Sequence, residues 1–508
     1  MSVFKLFYIP EPDLIFGGSK EEKDPRLGLK YHGPFYTSEE KTYSPKQTRL
    51  GIIGSDETIF LTNKLLEVIR YDIKSDSNNR WLFPDYPGAS INKGIRCDFV
   101  TSKTWNSRIY DYEIEKILKI EDVNFKINEG VKLFIEKIKN ILIEGSGPDV
   151  IICALPFEIE KHCGISELTR GAKKPRFTEL ERKAAKFKES GQSFLDEWFI
   201  DFDEEKEEEE VKSYDFRNAL KGHAMQFDIP TQLILQSTLE GILNYTITSG
   251  LQHPSTFSWN LSTGLYYKAR GRPWRLAKLS EGTCYVGVSF YVNKLDPRLN
   301  IETSMAQVFT HTGEGFVLRG SDVTIDEYTR EYHLSRKQAK DLLEDAINLY
   351  KNKVGVKPIR VVIHKSTLFN DDEISGFEEA IPNTPRDFVA LTKEYEIKFL
   401  RTGKYPILRG TVIPLSRNEY LLYTVGYIPR LRTYPGHRIP IPLKVTHIGD
   451  TEINIICSEI LGLTKLNWNT TQFSTQFPIT LEFAKRVGKV LSELSEDMIM
   501  RNHYRFYM

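Results

Sequence analysis

Apolar residues between positions 49 and 156 alternate between short strand patterns and longer helical patterns. Short apolar runs predict strands at RLGIIGS, IRCDFVT and DVIICALP. Between them, TIFLTNKLLEVI and NEGVKLFIEKIKNILIEG carry apolar residues at three- and four-residue spacing, which is typical of amphipathic helices. Strands that alternate with helices at this spacing predict a parallel sheet with helices on its faces. We therefore expect an α/β domain over residues 51–250, after an extended arm over residues 1–50 that shows no sustained periodicity.

A charged segment interrupts this pattern at residues 164–213. It contains few large apolar side chains and includes DFDEEKEEEE, with eight acids and one lysine. Such a segment cannot bury much apolar surface, so we interpret it as a solvated insertion. The helical pattern resumes in YDFRNALKGHAMQF.

A second α/β domain is expected over residues 251–508. LSTGLYYK and CYVGVSFYV predict strands, and QVFTHTGEGFVLRG predicts a hairpin. SRKQAKDLLEDAINLYKNKVG predicts a long helix, and PIRVVIHK a buried strand. PITLEFAKRVGKVLSELSE predicts a terminal helix, with Pro478 near its first turn. A meander of strands followed by helix, strand and helix fits an RNase H-like layer.

Charge is balanced over the whole chain but uneven along it. Lys and Arg number 69, as do Asp and Glu, yet the acidic run alone holds eight of the acids. Residues 401–508 contain 14 basic and 8 acidic residues, and residues 264–280 contain five cations and no acid. The C-terminal half is thus compatible with a polyanionic partner, although a solvated basic face is the commoner meaning of such a stretch.

No apolar run reaches the ~18 residues that a transmembrane helix needs, and the N-terminus lacks the apolar stretch of a signal peptide. The five cysteines are too few and scattered for a disulfide framework or a CxxC zinc site. We expect a cytoplasmic protein.

Four separate segments together resemble the MID and PIWI domains of Argonaute proteins. In chain order they are NLSTGLYYKARGRPWRLA, YVGVSFY, RVVIHKS and LTKLNWNTTQFSTQFPITLEFAKRVG. Each segment alone is more often an ordinary strand or turn, but their order and spacing agree across about 230 residues. The resemblance implies a Rossmann-like MID domain followed by an RNase H-like PIWI domain. Because no room remains for the N-terminal and PAZ domains, it is closest in kind to a short prokaryotic Argonaute.

The residues that could bind an anion lie between positions 217 and 268. Arg217 and Lys221 stand four residues apart, which places both on one side of a helix. Gln232 is expected at a helix start, where free N–H groups favour an anion, and Lys268 on a strand. In the family that the chain resembles, residues at these positions bind the 5′ phosphate of a guide strand, although Arg217 replaces the usual Tyr or His. An i,i+4 Arg–Lys pair is more often a solvated face, so Lys221 and Lys268 are the stronger candidates.

The resemblance also implies a Mg²⁺ ion at the guide 5′ end. In many prokaryotic members this ion is bound partly by the C-terminal carboxylate, which here belongs to Met508. Gln232 is the other expected ligand. Crowded phosphate charges favour such a hard cation.

The resemblance further implies that the nuclease centre of active PIWI domains is degenerate in this sequence. Two-metal hydrolysis needs clustered carboxylates that hold both cations about 3.5–4 Å apart. By resemblance, Ser289 and Ser366 stand where aspartates are expected, and Lys485 stands where the last metal ligand would be. A hydroxyl is a poor substitute for a carboxylate, and an ammonium repels metal ions. We expect that the chain does not cleave its target.

The resemblance therefore implies guide-RNA-directed recognition of single-stranded DNA in prokaryotic immunity against plasmids or phage. A chain without its own nuclease is expected to form a heterodimer with a TIR–APAZ partner and to activate NAD⁺ hydrolysis by that partner. Related systems use sirtuin-like or nuclease effectors in place of the TIR–APAZ protein. Two other hypotheses stay open. One is an active guide-directed nuclease, and the other is a Rossmann-like protein that binds a small molecule.

Overall fold

The computed structural model describes residues 6–37, 44–143, 147–163, 215–245, 252–292, 302–310, 313–323, 332–433, 439–495 and 498–508. Within these ranges the side chains of residues 292, 302–304, 322 and 485 are not described. The predicted insertion at 164–213 lies outside the described residues. The chain forms two compact units, of which one is Pro45–Ala269 and the other combines Met1–Ser44 with Arg270–Met508.

The N-terminal segment belongs to the second of these units and is more structured than an extended arm. It contains β1 (Phe7–Tyr8), β2 (Leu14–Phe16), β3 (Lys20–Glu22) and α1 (Pro25–His32). Asp24 caps α1 by accepting hydrogen bonds from the backbone N–H groups of Arg26 and Leu27, and Pro25 occupies its first turn. An eight-residue helix is too short for its periodicity to stand out in the sequence.

The unit Pro45–Ala269 is built on a parallel four-stranded sheet. Its elements are β4 (Gln47–Gly54), α2 (Asp56–Val68), β5 (Asp98–Arg108), α3 (Asp111–Leu118), α4 (Val123–Ile143), β6 (Val150–Leu155), α5 (Phe157–His162), α6 (Phe216–Ala224), β7 (Thr231–Leu235), α7 (Gln236–Leu243) and α8 (Pro254–Lys268). The strand order is β5-β4-β6-β7, and all three pairings are parallel. Every residue of β6 is buried, as its continuous apolar sequence predicts for an inner parallel strand. The parallel sheet predicted from the sequence is confirmed.

One element of this unit differs from the sequence prediction. LSTGLYYK is not a strand, because residues 254–268 form the helix α8, with Pro254 at its first turn. Nearly all of α8 is buried, so its sequence lacks the polar face that makes a helix recognisable by periodicity. The compact units divide after Ala269, whereas the predicted domain boundary lies at residue 250.

The C-terminal unit contains a mixed nine-stranded sheet. After the strands of the N-terminal segment, this unit continues in chain order with β8 (Arg275–Leu276), β9 (Thr283–Val292), β10 (Glu302–Phe309), β11 (Gly315–Val323), β12 (Arg360–Lys365), β13 (Arg386–Lys393), β14 (Thr411–Pro414), β15 (Glu419–Leu422) and β16 (Leu443–Gly449). The sheet order is β1-β14-β15-β16-β13-β12-β9-β10-β11, while β8 pairs with β2 in a small separate sheet. β10 and β11 form the predicted antiparallel hairpin, and β9 and β12 are parallel neighbours. The mixed α/β class expected from the sequence is confirmed.

The helices of this unit are α9 (Arg336–Val354), α10 (Asp371–Ala380), α11 (Ile453–Leu463), α12 (Ile479–Glu482) and α13 (Ala484–Leu491). α9 begins at a capping box of Ser335 and Gln338 and ends at Gly355, whose φ of 89° suits glycine. The prediction of a single terminal helix is wrong in one respect, because the helical segment is divided at Phe483 into α12 and α13. Gly287 on β9 allows α12 to lie against the sheet, because a Cβ there would come 2.0 Å from the carbonyl oxygen of Thr480.

Candidate nucleic-acid interface

The four predicted anion-binding residues lie in the same compact unit, and two of them are in direct contact. Lys268 Nζ at the end of α8 donates a hydrogen bond to Gln232 Oε1 on β7 at 2.5 Å. Lys221 Nζ on α6 donates to the backbone carbonyl of Thr231, the neighbour of Gln232, at 3.3 Å. Arg217 lies one helical turn before Lys221 and is exposed, whereas the lysines are only 2–3% exposed.

The electrostatics of this group favour an anion. Burial, and then the positive charge of Arg217, lower the pKa of Lys268 to about 7. Burial raises the pKa of the Cys153 thiol to about 12 in spite of the nearby charges of Lys221 and Lys268, so the thiol stays neutral. Lys268 donates its hydrogen bond to the neutral amide of Gln232, so its ammonium group gains no compensating charge from that bond. A phosphate in contact with it would supply this charge and raise its pKa again.

The elements that position these residues differ in two ways from the sequence prediction. Asp215 caps α6 through the N–H of Asn218, and the resulting helix puts Arg217 and Lys221 four residues apart as expected. Gln232, however, lies on strand β7 and not at a helix start, and the next helix begins at Gln236. Lys268 is the last residue of a helix and not part of a strand. An anion at this group would therefore meet side-chain cations and not a helix N-terminus at Gln232.

The two expected magnesium ligands, Gln232 and Met508, belong to different compact units. Gln232 Oε1 accepts the hydrogen bond from Lys268, so this oxygen already faces a cation and does not fit a second one in this arrangement. Met508, whose carboxylate is the other expected ligand, is 2% exposed and belongs to the other compact unit. Magnesium binding stays a prediction from the resemblance.

The three positions that the resemblance predicts to be degenerate lie in the C-terminal unit. Ser289 lies on β9 and is 9% exposed, and its hydroxyl has no hydrogen-bond partner among the described residues. Ser366 follows β12 and is exposed, and Lys485 lies in α13 with its side chain outside the described residues. No group of three or more His, Cys, Asp or Glu side chains within the described ranges is arranged to hold a metal ion.

Two buried residues, His364 and Lys365, directly precede Ser366. Lys365 Nζ donates to both carboxylate oxygens of Glu373, at 2.6 and 2.8 Å, and both side chains are fully buried. This carboxylate is therefore already paired with an ammonium group. His364 Nδ1 and Thr480 Oγ1 share a hydrogen bond of 2.7 Å. Burial, and then the positive charge of Arg360, lower the pKa of His364 to about 3. Lys365 is the last residue of the buried strand β12, and a charge in such a strand could have signalled a buried partner.

Comparison with known proteins places this fold among the Argonautes. No protein-family model matches the sequence. The chain is 20% identical to the Argonaute of Aquifex aeolicus over 283 residues, which are 55% of this chain and 36% of that protein. It is 27% identical to the Argonaute of Thermus thermophilus over 180 residues, or 34% of this chain and 24% of that protein. These alignments cover well under two thirds of either relative.

Solved structures show the same fold over nearly the whole chain. Clostridium butyricum Argonaute, bound to a guide DNA and a 19-mer target DNA, matches with a TM-score of 0.62 and 16% identity, over 97% of this chain and 54% of that one. Aquifex aeolicus Argonaute matches with a TM-score of 0.53 and 15% identity, over 97% of this chain and 54% of that one. The chain thus has the mixed α/β fold of Argonaute structures and spans about half their length. Among its described helices, none combines the length and the apolar character required to cross a membrane.

Proposed function

We propose that this protein is a short, MID–PIWI Argonaute that binds a 5′-phosphorylated guide strand through Arg217, Lys221, Gln232 and Lys268. The observation that carries the proposal is the buried ammonium group of Lys268, whose bonded partner is a neutral amide and whose neighbours include further cations. A terminal phosphate is a compact dianion near neutral pH, and it forms charge-assisted hydrogen bonds with such a group. The Argonaute relatives and the guide-bound structural neighbour support this choice of ligand.

The guide is proposed to be RNA and the target single-stranded DNA, in prokaryotic immunity against plasmids or phage. This step rests on the family resemblance. Sequencing of nucleic acid that co-purifies with the protein tests it, and short RNAs with a uniform 5′ phosphate are the expected result. A protein that binds neither 5′-phosphorylated RNA nor 5′-phosphorylated DNA would instead support the small-molecule hypothesis.

Target recognition is proposed to occur without cleavage. We expect no cut in a complementary target with Mg²⁺ or Mn²⁺, because Ser289 and Ser366 lack the carboxylates that a two-metal site requires. The measurement is a denaturing gel of end-labelled target, with guide of matched and scrambled sequence. A single product whose position moves with the guide end would support an active nuclease instead.

A binder of this kind is proposed to act through a partner, and the resemblance points to a TIR–APAZ protein that hydrolyses NAD⁺. We expect NAD⁺ loss only when guide, complementary target, this protein and the partner are all present. Target pairing can activate the partner only if the paired state interacts with it differently, so a scrambled target is the matched control. Equal NAD⁺ loss with the scrambled target would reduce this chain to a scaffold.

A further inference from the structure

Two tyrosine rings are stacked at the surface of the C-terminal unit. The ring centres of Tyr405 and Tyr427 are 4.2 Å apart, and the ring planes are inclined by only 12°. Tyr427 is 8% exposed and is held by its backbone, since its N–H donates to the carbonyl of Ile407 at 2.8 Å and its carbonyl accepts from the N–H of Arg409 at 3.2 Å. Tyr405 is 37% exposed. The inner ring is therefore fixed, and the outer ring is accessible to a ligand.

Two cations lie beside the stacked rings. The guanidinium of Arg401 is 5.7 Å from the ring centre of Tyr427, and Arg401 Nε donates a hydrogen bond to the backbone carbonyl of Tyr405 at 3.0 Å. Lys404 Nζ is 5.7 Å from the ring centre of Tyr405. Both cationic side chains are exposed. The site thus joins a flat aromatic surface to positive charges, and this combination fits a planar base that carries a phosphate.

The position of the rings in the sheet supports a nucleic-acid ligand. Tyr427 follows the end of β15, and Tyr405 precedes the start of β14. β12 and β13 are parallel, and β13, β16 and β15 are successively antiparallel, so β15 ends at the same side of the sheet as β12. Ser366, one of the degenerate positions, directly follows β12 at this side. β15 is three strands away from β12, which corresponds to about 14 Å, or about four nucleotides of a stacked strand.

Support of the loop between β13 and β14 does not require the exposed ring. Phe399 already anchors this loop, because it packs against the buried cluster that contains Leu421 and its N–H donates to Tyr423 Oη at 3.1 Å. An aliphatic side chain at position 405 would also cover Tyr427. A planar ligand on the outer face of Tyr405 explains why an aromatic ring is placed there.

We propose that Tyr405, supported by Tyr427, stacks against an unpaired base of a nucleic-acid strand held by this protein, with Arg401 and Lys404 beside that nucleotide. Stacking tolerates any sequence, because every base has a π face. A free nucleotide would gain only this one contact, whereas a base of a strand already bound elsewhere is held at a high local concentration. The strand is therefore the source of the base. This inference rests on the proposed function, since it assumes that a guide or a guide–target pair is bound.

The experiment is a scan in which an abasic nucleotide is placed at each position of the guide, and then of the target, in binding titrations of wild-type protein and Tyr405→Leu. For the wild type, we expect an abasic nucleotide at one position, or at two adjacent ones, to weaken binding about five- to thirtyfold, as for loss of one base–aromatic stack. Tyr405→Leu is expected to bind the intact strands more weakly by the same factor and to be insensitive to that abasic position, because the ring and the base form one contact. Its salt dependence and melting temperature should match the wild type, because no charge is removed and the side chain is exposed.

Two further variants sharpen the test. Tyr405→Trp keeps an aromatic ring, so it is expected to retain both the affinity and the sensitivity to the abasic position. Tyr31→Ala is the control, because Tyr31 is an exposed tyrosine on α1 with Lys30 Nζ 5.6 Å from its ring centre, and it should bind as the wild type does. Identical abasic profiles for the wild type and Tyr405→Leu would overturn the inference while leaving guide binding intact. No guide binding by the wild-type protein would overturn the proposed function and this inference together.

Discussion

Replacement of Lys268 by Ala is expected to weaken binding of a 5′-phosphorylated guide by at least tenfold and to leave a 5′-hydroxyl guide nearly unaffected. Charge-assisted hydrogen bonds contribute roughly 1.5–3 kcal/mol each, which corresponds to about 10- to 150-fold in affinity. The buried position of Lys268 places it in the upper part of this range, because its charge is poorly screened by solvent. The measurement is a pair of binding titrations with guides that differ only in the 5′ group.

Lys64→Ala provides a matched control for this result, since Lys64 is exposed on α2 in the same compact unit. A second readout is the pH dependence of the preference for 5′ phosphate. The pKa of Lys268 is lowered to about 7, so its positive charge is present below that pH and is lost as pH rises. The wild-type preference should therefore fall above pH 7, by up to about tenfold per unit for one linked proton. A preference with the same pH profile in Lys268→Ala would show that Lys268 does not contact the phosphate.

Replacement of Glu11 by Gln is expected to lower the free energy of unfolding of the C-terminal unit by about 3–5 kcal/mol. Glu11 Oε2 accepts a hydrogen bond from Arg409 Nε, and Glu11 Oε1 accepts one from Lys465 Nζ, each at 2.8 Å. The Arg409 and Lys465 side chains are at most 1% exposed. Removal of the single carboxylate that bonds both would leave two buried cations without this counter-charge, which is far more costly than loss of a surface ion pair.

The measurement is the urea midpoint and melting temperature of Glu11→Gln, with Glu21→Gln on the exposed strand β3 as the control. Burial opposes ionisation of Glu11, but the charges of Arg409 and Lys465 outweigh it and lower its pKa. Its stabilising effect is therefore present above the ordinary glutamate pKa of about 4.3 and is lost as pH falls through the lowered folded value. The difference between variant and wild type should shrink in acid. Equal stability of the two proteins at pH 7 would show that the network contributes nothing net.

Strands with continuous apolar sequence and helices with a clear polar face could be predicted from the sequence. β6 is an example through its continuous apolar run, and α9 through its helical periodicity and its capping residues. α8 could not be predicted, because burial on nearly all sides removes the periodic signal and its β-branched and aromatic residues imitate a strand. The division at Phe483 was also not predictable, since no proline or glycine marks that position.

For the candidate site, the residue types could be predicted but not their supporting structure. The placement of Arg217 and Lys221 on one side of a helix follows from their spacing, whereas the contact between Lys268 and Gln232 depends on how α8 packs beside β7. Contacts between residues so distant in sequence leave no local pattern.

The surroundings of Ser289 bear on how this protein can evolve. Gly287 brings the carbonyl of Thr480 onto the sheet, the nearby His364 is neutral at pH 7, and the Ser289 hydroxyl is enclosed. An aspartate introduced at Ser289 would place a carboxylate in this enclosed position. Burial destabilises the ionised form of a carboxylate, so Ser289→Asp is expected to lower the stability of the folded protein. A carboxylate at this position therefore requires a compensating change elsewhere, and a single substitution to aspartate is expected to be selected against.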